Sequence, residues 1–501
     1  MPPLKANNTF SVAGWFRDNF YTRRFNSLPG WITIALLGIL LGFLGNVVNP
    51  KIPMLLVVSV AGIFFVLISL QYPEVAYYAF IFSILIFTLP ARLFSVEIPL
   101  GMAIEPVGYL CIFTTINQQY RKKTDTKAFW KNPISIMMIV MLLFFFLEAI
   151  NPEKRQMGGW FSYVRKQVLY FLFYYCSYLV LDSYEKIKRF FKIWIFIALV
   201  IAFWGLKQQW MGFTAFEDAW IHSDPVITEL LFQAGMFRKF SLLPDPAAFG
   251  VLSASSALFT LVLAIRIHSK KKKYFLLFAT AMQLVASSYS GTRTSNLMLV
   301  AGLLAYIVFT LNEVRTIRVL IGSVLVSLFL LFGPFHNNPI IYRMRTTFDK
   351  KDPSAMVRDI NRKNIQPYIY RHPIGGGLNT CGEEGKIYYP GHVLAGYPPD
   401  SGYMKIMLEQ GWIGLTLNIL FYFIILQRGV WGFYNCRNPE IKTLYMTLTI
   451  CLFSLMVGQY SQLAISQYPQ ILFYFASLVI LYKLKDFDTP PNKESNEITT
   501  A

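Results

Sequence analysis

The chain is poor in acid, in histidine and in any patterned cysteine. Among 501 residues there are 27 Asp and Glu against 46 Lys and Arg, with five His and five Cys. The cysteines are scattered, and only Cys381 falls in a large polar loop, so neither a disulfide framework nor a Cys-x-x-Cys zinc site is drawn. There is no Walker loop and no His-Glu-x-x-His element. The single Asp-x-Asp, Asp486 and Asp488, lies near the C-terminus and reads as a solvated charge pair. These absences argue against nucleotide hydrolysis, zinc proteolysis and metal-dependent use of a nucleotide sugar. Neither a metal nor a cofactor is expected. No cleavable leader is visible either, because residues 1–30 are basic and polar and the first apolar run continues into more apolar sequence.

What the chain has is apolar length. It is 55% hydrophobic and 17% aromatic, with a mean hydropathy of +0.44. A soluble protein of this size needs more polar surface to cover itself. Apolar runs of about 18 residues or more read as membrane-spanning helices. Fourteen are assigned: 31–47, 53–70, 74–90, 99–117, 133–150, 167–181, 193–206, 244–265, 275–290, 294–311, 319–335, 403–426, 443–459 and 467–482. The expected fold is an all-α, polytopic transmembrane helix bundle. The weakest span is 99–117, which contains Glu105, Pro106 and two glycines.

The net charge of +19 is expected to face anionic lipid from the cytoplasmic loops, not nucleic acid. With the N-terminus inside, each even-numbered span should end in a basic loop. Arg121 to Lys131 follow span four, and Lys186 to Lys192 follow span six. Arg266 and Lys270 to Lys273 follow span eight, Arg315 and Arg318 span ten, and Arg428 to Lys442 span twelve. The alternation holds, so span four is kept and both termini are placed in the cytoplasm.

The resulting segments are a cytoplasmic start (1–30), a first bundle (31–206), an outer loop (207–243), central hairpins (244–335), a large outer loop (336–402), the last spans (403–482) and a disordered cytoplasmic tail (483–501). A loop as long as 336–400 is too long for a simple connector. Its Tyr, Pro and Gly content suggests an ordered element packed on the membrane surface. No internal repeat supports an inverted-repeat transporter.

Charges left on the outer side need a reason other than orientation, and four places stand out. In "FRKFSLLPDPAAFG", Arg238 and Lys239 precede Asp245, which suits a helix cap with Pro246 at the first helical position. The two cations are either site residues or interfacial anchors. In "SSYSGTRTSNL", Arg293 sits at the outer end of a hairpin. Arginine near a membrane is costly unless paired or facing water, and it grips phosphate with two parallel hydrogen bonds. An interfacial anchor is the alternative. In "IYRHPIGGGLNTCG", Arg371 and His372 are candidates to face a ligand, while the glycines read better as tight turns and close backbone approach than as a nucleotide loop. In "YPPDSGYMKIMLEQGWIGL", Asp400 is either a general base or a helix cap, with His392 eight residues upstream.

In order and placement these elements resemble the bacterial O-antigen ligase and O-antigen polymerase superfamily. "GTRTSNL" is similar to its Arg-x-x-x-Leu element, and "RHPIGGGLNT" to its His-Pro-x-x-Gly-x-Gly loop. "DSGYMKIMLEQGWIGL" is similar to the segment ending Glu-x-Gly-x-x-Gly, and "FRKFSLLPDPAAFG" to an Arg…Asp-Pro element at an earlier span. The resemblance covers roughly 237–426. It implies an inner-membrane enzyme that acts at the periplasmic face on glycans carried by undecaprenyl pyrophosphate, without nucleotide or metal. Arg293, Arg238 and Arg371 would then bind pyrophosphate. Asp400 or His392 would deprotonate the acceptor hydroxyl, and Ser401, Tyr403 and His372 would meet sugar. Glu409 would be structural, with Gly411 and Gly414 allowing close helix packing. Ligases carry a His, usually followed by Asn, where this chain has Asp400-Ser401, which leans the expectation toward a polymerase or another glycan transferase of the superfamily. A flippase and a chain-length regulator are expected partners. The competing classes are a lipid-linked-glycan flippase or polysaccharide transporter, and a non-catalytic partner of an export complex. A transporter calls for charge within its spans, which is scarce here.

Overall fold

The computed structural model describes residues 27–43, 51–93, 100–153, 156–233, 235–333, 353–399 and 401–488. Nearly all of the regular structure is helical. Residues 1–71 and 72–501 form two compact units. The first holds α1 (Leu28–Phe43) and α2 (Lys51–Gln71). Neither helix carries an acidic residue in its first turn or a basic one in its last, and Trp31, Leu36, Val57, Val60 and Ile63 are exposed. Apolar exposure on that scale suits lipid, not water.

The second unit begins with α3 (Pro73–Leu93), α4 (Leu100–Lys122), α5 (Pro133–Leu147), α6 (Met157–Val180) and α7 (Tyr184–Trp210). Two short helices follow, α8 (Ala215–Ile221) and α9 (Pro225–Leu231), then a two-residue hairpin pairing Phe232 with Phe237. Next come α10 (Pro246–Arg266), α11 (Lys270–Tyr289), α12 (Arg293–Phe309) and α13 (Val314–Phe332). The large loop contributes α14 (Pro353–Arg371) and α15 (Gly382–Tyr388). The chain ends with α16 (Gly402–Asn435), α17 (Pro439–Gly458) and α18 (Gln470–Lys483). A helix lies over each of the fourteen segments read from the sequence. Five helices among the described residues (α5 with its extension to Ile150, α7, α10, α16 and α17) are long and apolar enough to cross a membrane.

α10 is the axis of the bundle, packed by α7, α11, α12 and α17. Its small residues Ser253, Ala254, Ser255, Ser256 and Ala257 are all buried, and small side chains let neighbouring helices approach closely. Asp245 caps it as expected, accepting from the backbone N–H of Ala247 and Ala248 at 2.7 and 2.9 Å. A second layer is built from α3 against α4, α4 against α6, and α6 against α18. Trp194 of α7 stacks on Phe473 of α18 with centroids 4.6 Å apart, joining the layers.

Two expectations are corrected. The segment 207–243 is a folded element and not a bare loop. Buried Arg92 donates to the carbonyls of Ser241, Leu243 and Pro244 and lies under Trp220 and Phe240. Asp488 is not a solvated tail charge. Its carboxylate accepts from the backbone of Arg437 and Asn438 and from Cys436 Sγ, so order continues through 488; 489–501 lie outside the described residues. Arg165 and Lys166 stand on α6, and Arg165 pairs with buried Glu105 of α4 at 3.1 Å.

Candidate functional site

The turn between α11 and α12 is built on α10. A Cβ at Gly250 would overlap the Ser290 and Ser295 hydroxyls, so only glycine leaves room for the turn. Ser290 Oγ donates to Ser287 O and accepts from Thr292 N. Thr292 Oγ1 donates to Pro246 O at 3.0 Å. Arg238 reaches in from the other side, with Nε on Ser290 O and Nη2 on Thr292 Oγ1, both at 3.0 Å. Arg293 is then the first residue of α12. The structure therefore brings Arg238 and Arg293 to one corner. Two N–H groups of Arg238 are engaged in holding the turn, a positioning role that the sequence reading did not separate from ligand binding. The positive end of the α12 dipole lies in the same corner.

The corner is tied to the start of α16 by one tripeptide, Gln459-Tyr460-Ser461. Ser461 Oγ lies 2.9 Å from Thr294 Oγ1. Gln459 O accepts from Gly402 N at 2.8 Å and from Ser401 Oγ at 3.0 Å. Arg362 of α14 lies over the Tyr460 ring and donates to its hydroxyl at 3.1 Å. Three distant parts of the sequence thus meet at residues 459–461.

Asp400 lies outside the described residues. Its neighbours bear on two expectations. The N-cap of α16 is Ser401, whose Oγ accepts from Met404 N, and not Asp400. The Ser401 hydroxyl is buried and bonded to Gln459, while Tyr403 OH donates to Met456 O at 2.8 Å. Both hydroxyls expected to meet sugar are turned to the protein. His372 stacks on Tyr368 and its Nδ1 lies 2.9 Å from Tyr368 O, with Nε2 3.8 Å from Glu153. Arg371 ends α14 exposed, and no contact among the described residues joins it to the arginine corner. His392 Nδ1 accepts from Leu394 N at 3.1 Å. The lone pair at that nitrogen is already engaged, which argues against Nδ1 as the base.

The glycine run is structural. Gly376 N donates to Leu408 O at 2.8 Å and Gly377 N to Glu409 O at 2.9 Å, so the loop lies on the first turns of α16. Gly375 and Gly377 have φ of 78° and 96°, and a Cβ on Gly375 would overlap the Glu409 backbone. Gly411 breaks α16 with φ 64° and ψ −161° and receives the Pro373 carbonyl against its Cα. Glu409 completes the join by accepting from Cys381 N at 3.2 Å.

Beside this join is a cleft of about 520 Å³ that the sequence reading missed. Its charged lining is Lys166, Glu383, Glu384, Lys405 and Glu409. Lys405 Nζ lies 2.7 Å from Glu384 and 3.9 Å from Glu409, and Lys166 Nζ is 3.2 Å from Glu384. Burial works against the charge of Glu384, yet Lys405 and Lys166 hold its carboxyl below the usual range. Cys381 also lines the cleft, and burial pushes its thiol well up, away from a nucleophile's range. Pro399 and Gly402, on either side of 400–401, complete the mouth. Two sequence signals pointed here: Lys405 and Glu409 stand four apart, and the segment 151–166, expected on the outer side, carries Lys154, Arg155, Arg165 and Lys166 against the orientation rule.

A polytopic helical bundle with cationic and carboxylate groups gathered at helix ends is the architecture of a membrane enzyme or transporter acting at the bilayer surface. Comparison with known families bears on that choice. Residues 276–419 match the sequence model of the O-antigen ligase family. The match spans the α11–α12 turn, Arg293, the glycine loop and the first half of α16. It bears out the resemblance to the O-antigen ligase and polymerase superfamily and supports an enzyme of polysaccharide biosynthesis in a membrane. No curated protein matches the chain.

Proposed function

We propose that the protein is an inner-membrane glycosyltransferase that polymerises or transfers an oligosaccharide carried on undecaprenyl pyrophosphate. Fourteen helices cross the bilayer, both termini are cytoplasmic and the site faces the periplasm. The observation that carries this reading is the junction at 459–461. It ties the Arg238–Arg293 corner to the start of α16, within and beside the stretch similar to O-antigen ligases. Arg293 and the α12 N-terminus neutralise the pyrophosphate, and Arg238 fixes the turn and adds charge. The acceptor hydroxyl attacks the anomeric carbon. Asp400 takes the hydroxyl proton, the new glycosidic bond forms, and the bond to pyrophosphate breaks with its electron pair leaving on the phosphate oxygen. Stabilising that leaving charge is the main electrostatic work. No step calls for a metal or a nucleotide. A flippase delivers the donor and a chain-length regulator acts on the product.

The test is a gel profile of surface and lipid-linked glycans from a deletion strain, with the wild-type gene returned as control. Collapse to single repeats means polymerase, and full polymer stranded on its lipid means ligase. Unchanged glycans overturn the reading. Arg293→Ala should lower output about a hundredfold, the scale of losing one charge-stabilising donor, and Arg293→Lys should restore only part of it because the bidentate fork is gone.

A further inference from the structure

We infer that the cleft walled by Lys166, Glu384, Lys405 and Glu409 is an oligosaccharide subsite that seats the acceptor glycan. The inference rests on the transferase reading for the word acceptor, and on the cleft itself for the word oligosaccharide.

Size comes first. About 520 Å³ lies within the range of about 300–1,000 Å³ usual for small-ligand pockets. That admits a few sugar rings and excludes a full polyprenyl chain. Charge comes second. Two lysines face three glutamates, Glu383 included, so the lining carries no excess positive charge and does not select an anion such as pyrophosphate. It offers instead paired donors and acceptors, which suit a polyhydroxyl ligand. Glu409 is fully buried, and although the backbone N–H groups of Cys381 and Asn379 stabilise its carboxylate, its Oε2 makes no hydrogen bond of ordinary geometry among the described residues. An acceptor oxygen in that state is costly unless a ligand or water donates to it. Third, the lining is rich in aromatic side chains, with Tyr163, Tyr170, Tyr422 and Tyr474 among them, a composition usual for small-ligand sites.

Position supplies the last argument. Gln459 lines the cleft, and two residues on Ser461 bonds to Thr294 beside Arg293. The cleft and the arginine corner therefore lie at opposite ends of one tripeptide. A displacement at an anomeric carbon needs its incoming hydroxyl and its departing pyrophosphate held by separate groups, and two sites so joined supply that separation. Of the residues expected to meet sugar, Ser401 and Tyr403 have their hydroxyls bonded inward, and His372 is stacked on Tyr368.

The experiment uses the full chain purified in detergent and two probes. One is the parent strain's surface oligosaccharide released from its lipid by mild acid; the other is inorganic pyrophosphate. Dissociation constants are measured for wild type, Glu384→Gln, Lys405→Met and Arg293→Ala. Ile406→Cys, labelled after purification with a bulky maleimide, blocks the cleft in protein that has already folded; wild type treated identically is its control. The cleft variants should bind oligosaccharide at least tenfold more weakly and pyrophosphate unchanged, and Arg293→Ala should do the reverse. Oligosaccharide binding that survives the blocked cleft, that is absent from wild type, or that falls equally with Arg293→Ala overturns the inference. Unchanged glycans in the deletion strain, with cleft-dependent binding retained, would overturn the transferase reading and leave the subsite standing.

Discussion

Gly411 shows how one residue fixes the relation of two segments. Its backbone, with φ 64° and ψ −161°, is open essentially to glycine alone. Its missing side chain is also where the Pro373 carbonyl sits, next to the bond from Trp412 N to Pro373 O at 2.9 Å. Gly411→Ala should therefore cost at least about 1–3 kcal/mol for the backbone alone, read as a lower melting temperature of the purified protein. An unchanged melt would mean that the α16 break tolerates a side chain. Ser401→Ala removes a cap and a buried bond to Gln459 O, and about 1 kcal/mol is expected from the cap. The Asp245 cap, the turn-forming glycines and the structural place of Glu409 were legible, because caps and positive φ are local properties. The roles of Ser401, Tyr403 and His392 were not. Each is decided by a hydrogen bond to Gln459, Met456 or Leu394 that residue type does not announce.

At the scale of elements, the 207–243 segment is a small folded cap held from two directions. Arg92 binds its last turn, and Glu217 of its first helix ties that helix to Trp204 and Gln208 of α7. Glu217 is buried and accepts from Trp204 Nε1 at 2.8 Å, Gln208 Nε2 at 2.7 Å and Thr214 N at 2.8 Å. Burial alone would raise its carboxyl, but these donors outweigh burial and lower it. A carboxylate lowered on folding stabilises the fold above its unfolded value of roughly 4 and loses that contribution as pH falls through the folded value. The cap should accordingly loosen on acidification below about pH 4, seen as a change in tryptophan fluorescence from Trp204 and Trp220. Glu217→Gln should remove that pH step. Persistence of the step in the variant would assign it to another group. The fourteen apolar helices were legible because each is a long apolar run bounded by Pro, Gly or charge, whereas the polar helix α14 in the large loop was not. The helical content of 207–243 was not, since α8 and α9 are seven residues each and carry no sustained period.

At the scale of the molecule, the proposed topology is testable with reporter fusions. Fusions after Lys123, Arg189 and Lys273 should report the cytoplasm, and fusions after Gly212, Gly291 and Lys386 the periplasm. One reversed pair would change the number of crossings and move the arginine corner away from its proposed face. Composition and the spacing of apolar runs determined by themselves that this is an all-α membrane protein. The positive-inside pattern supplied the orientation that is proposed, because lipid acts on each span and loop through local hydropathy and charge. Short motifs at helix ends also marked Arg238, Arg293 and the family resemblance. Only the tertiary structure decided that Arg238 holds the turn carrying Arg293, that residues 459–461 join that turn to α16, and that Lys166, Glu384, Lys405 and Glu409 share a cleft. Lys166 and Lys405 are far apart in sequence, and both lie on helices whose rotation is set by packing against partners. Their meeting at Glu384 depends on how α6, α15 and α16 pack, a relation that no local window of the chain contains.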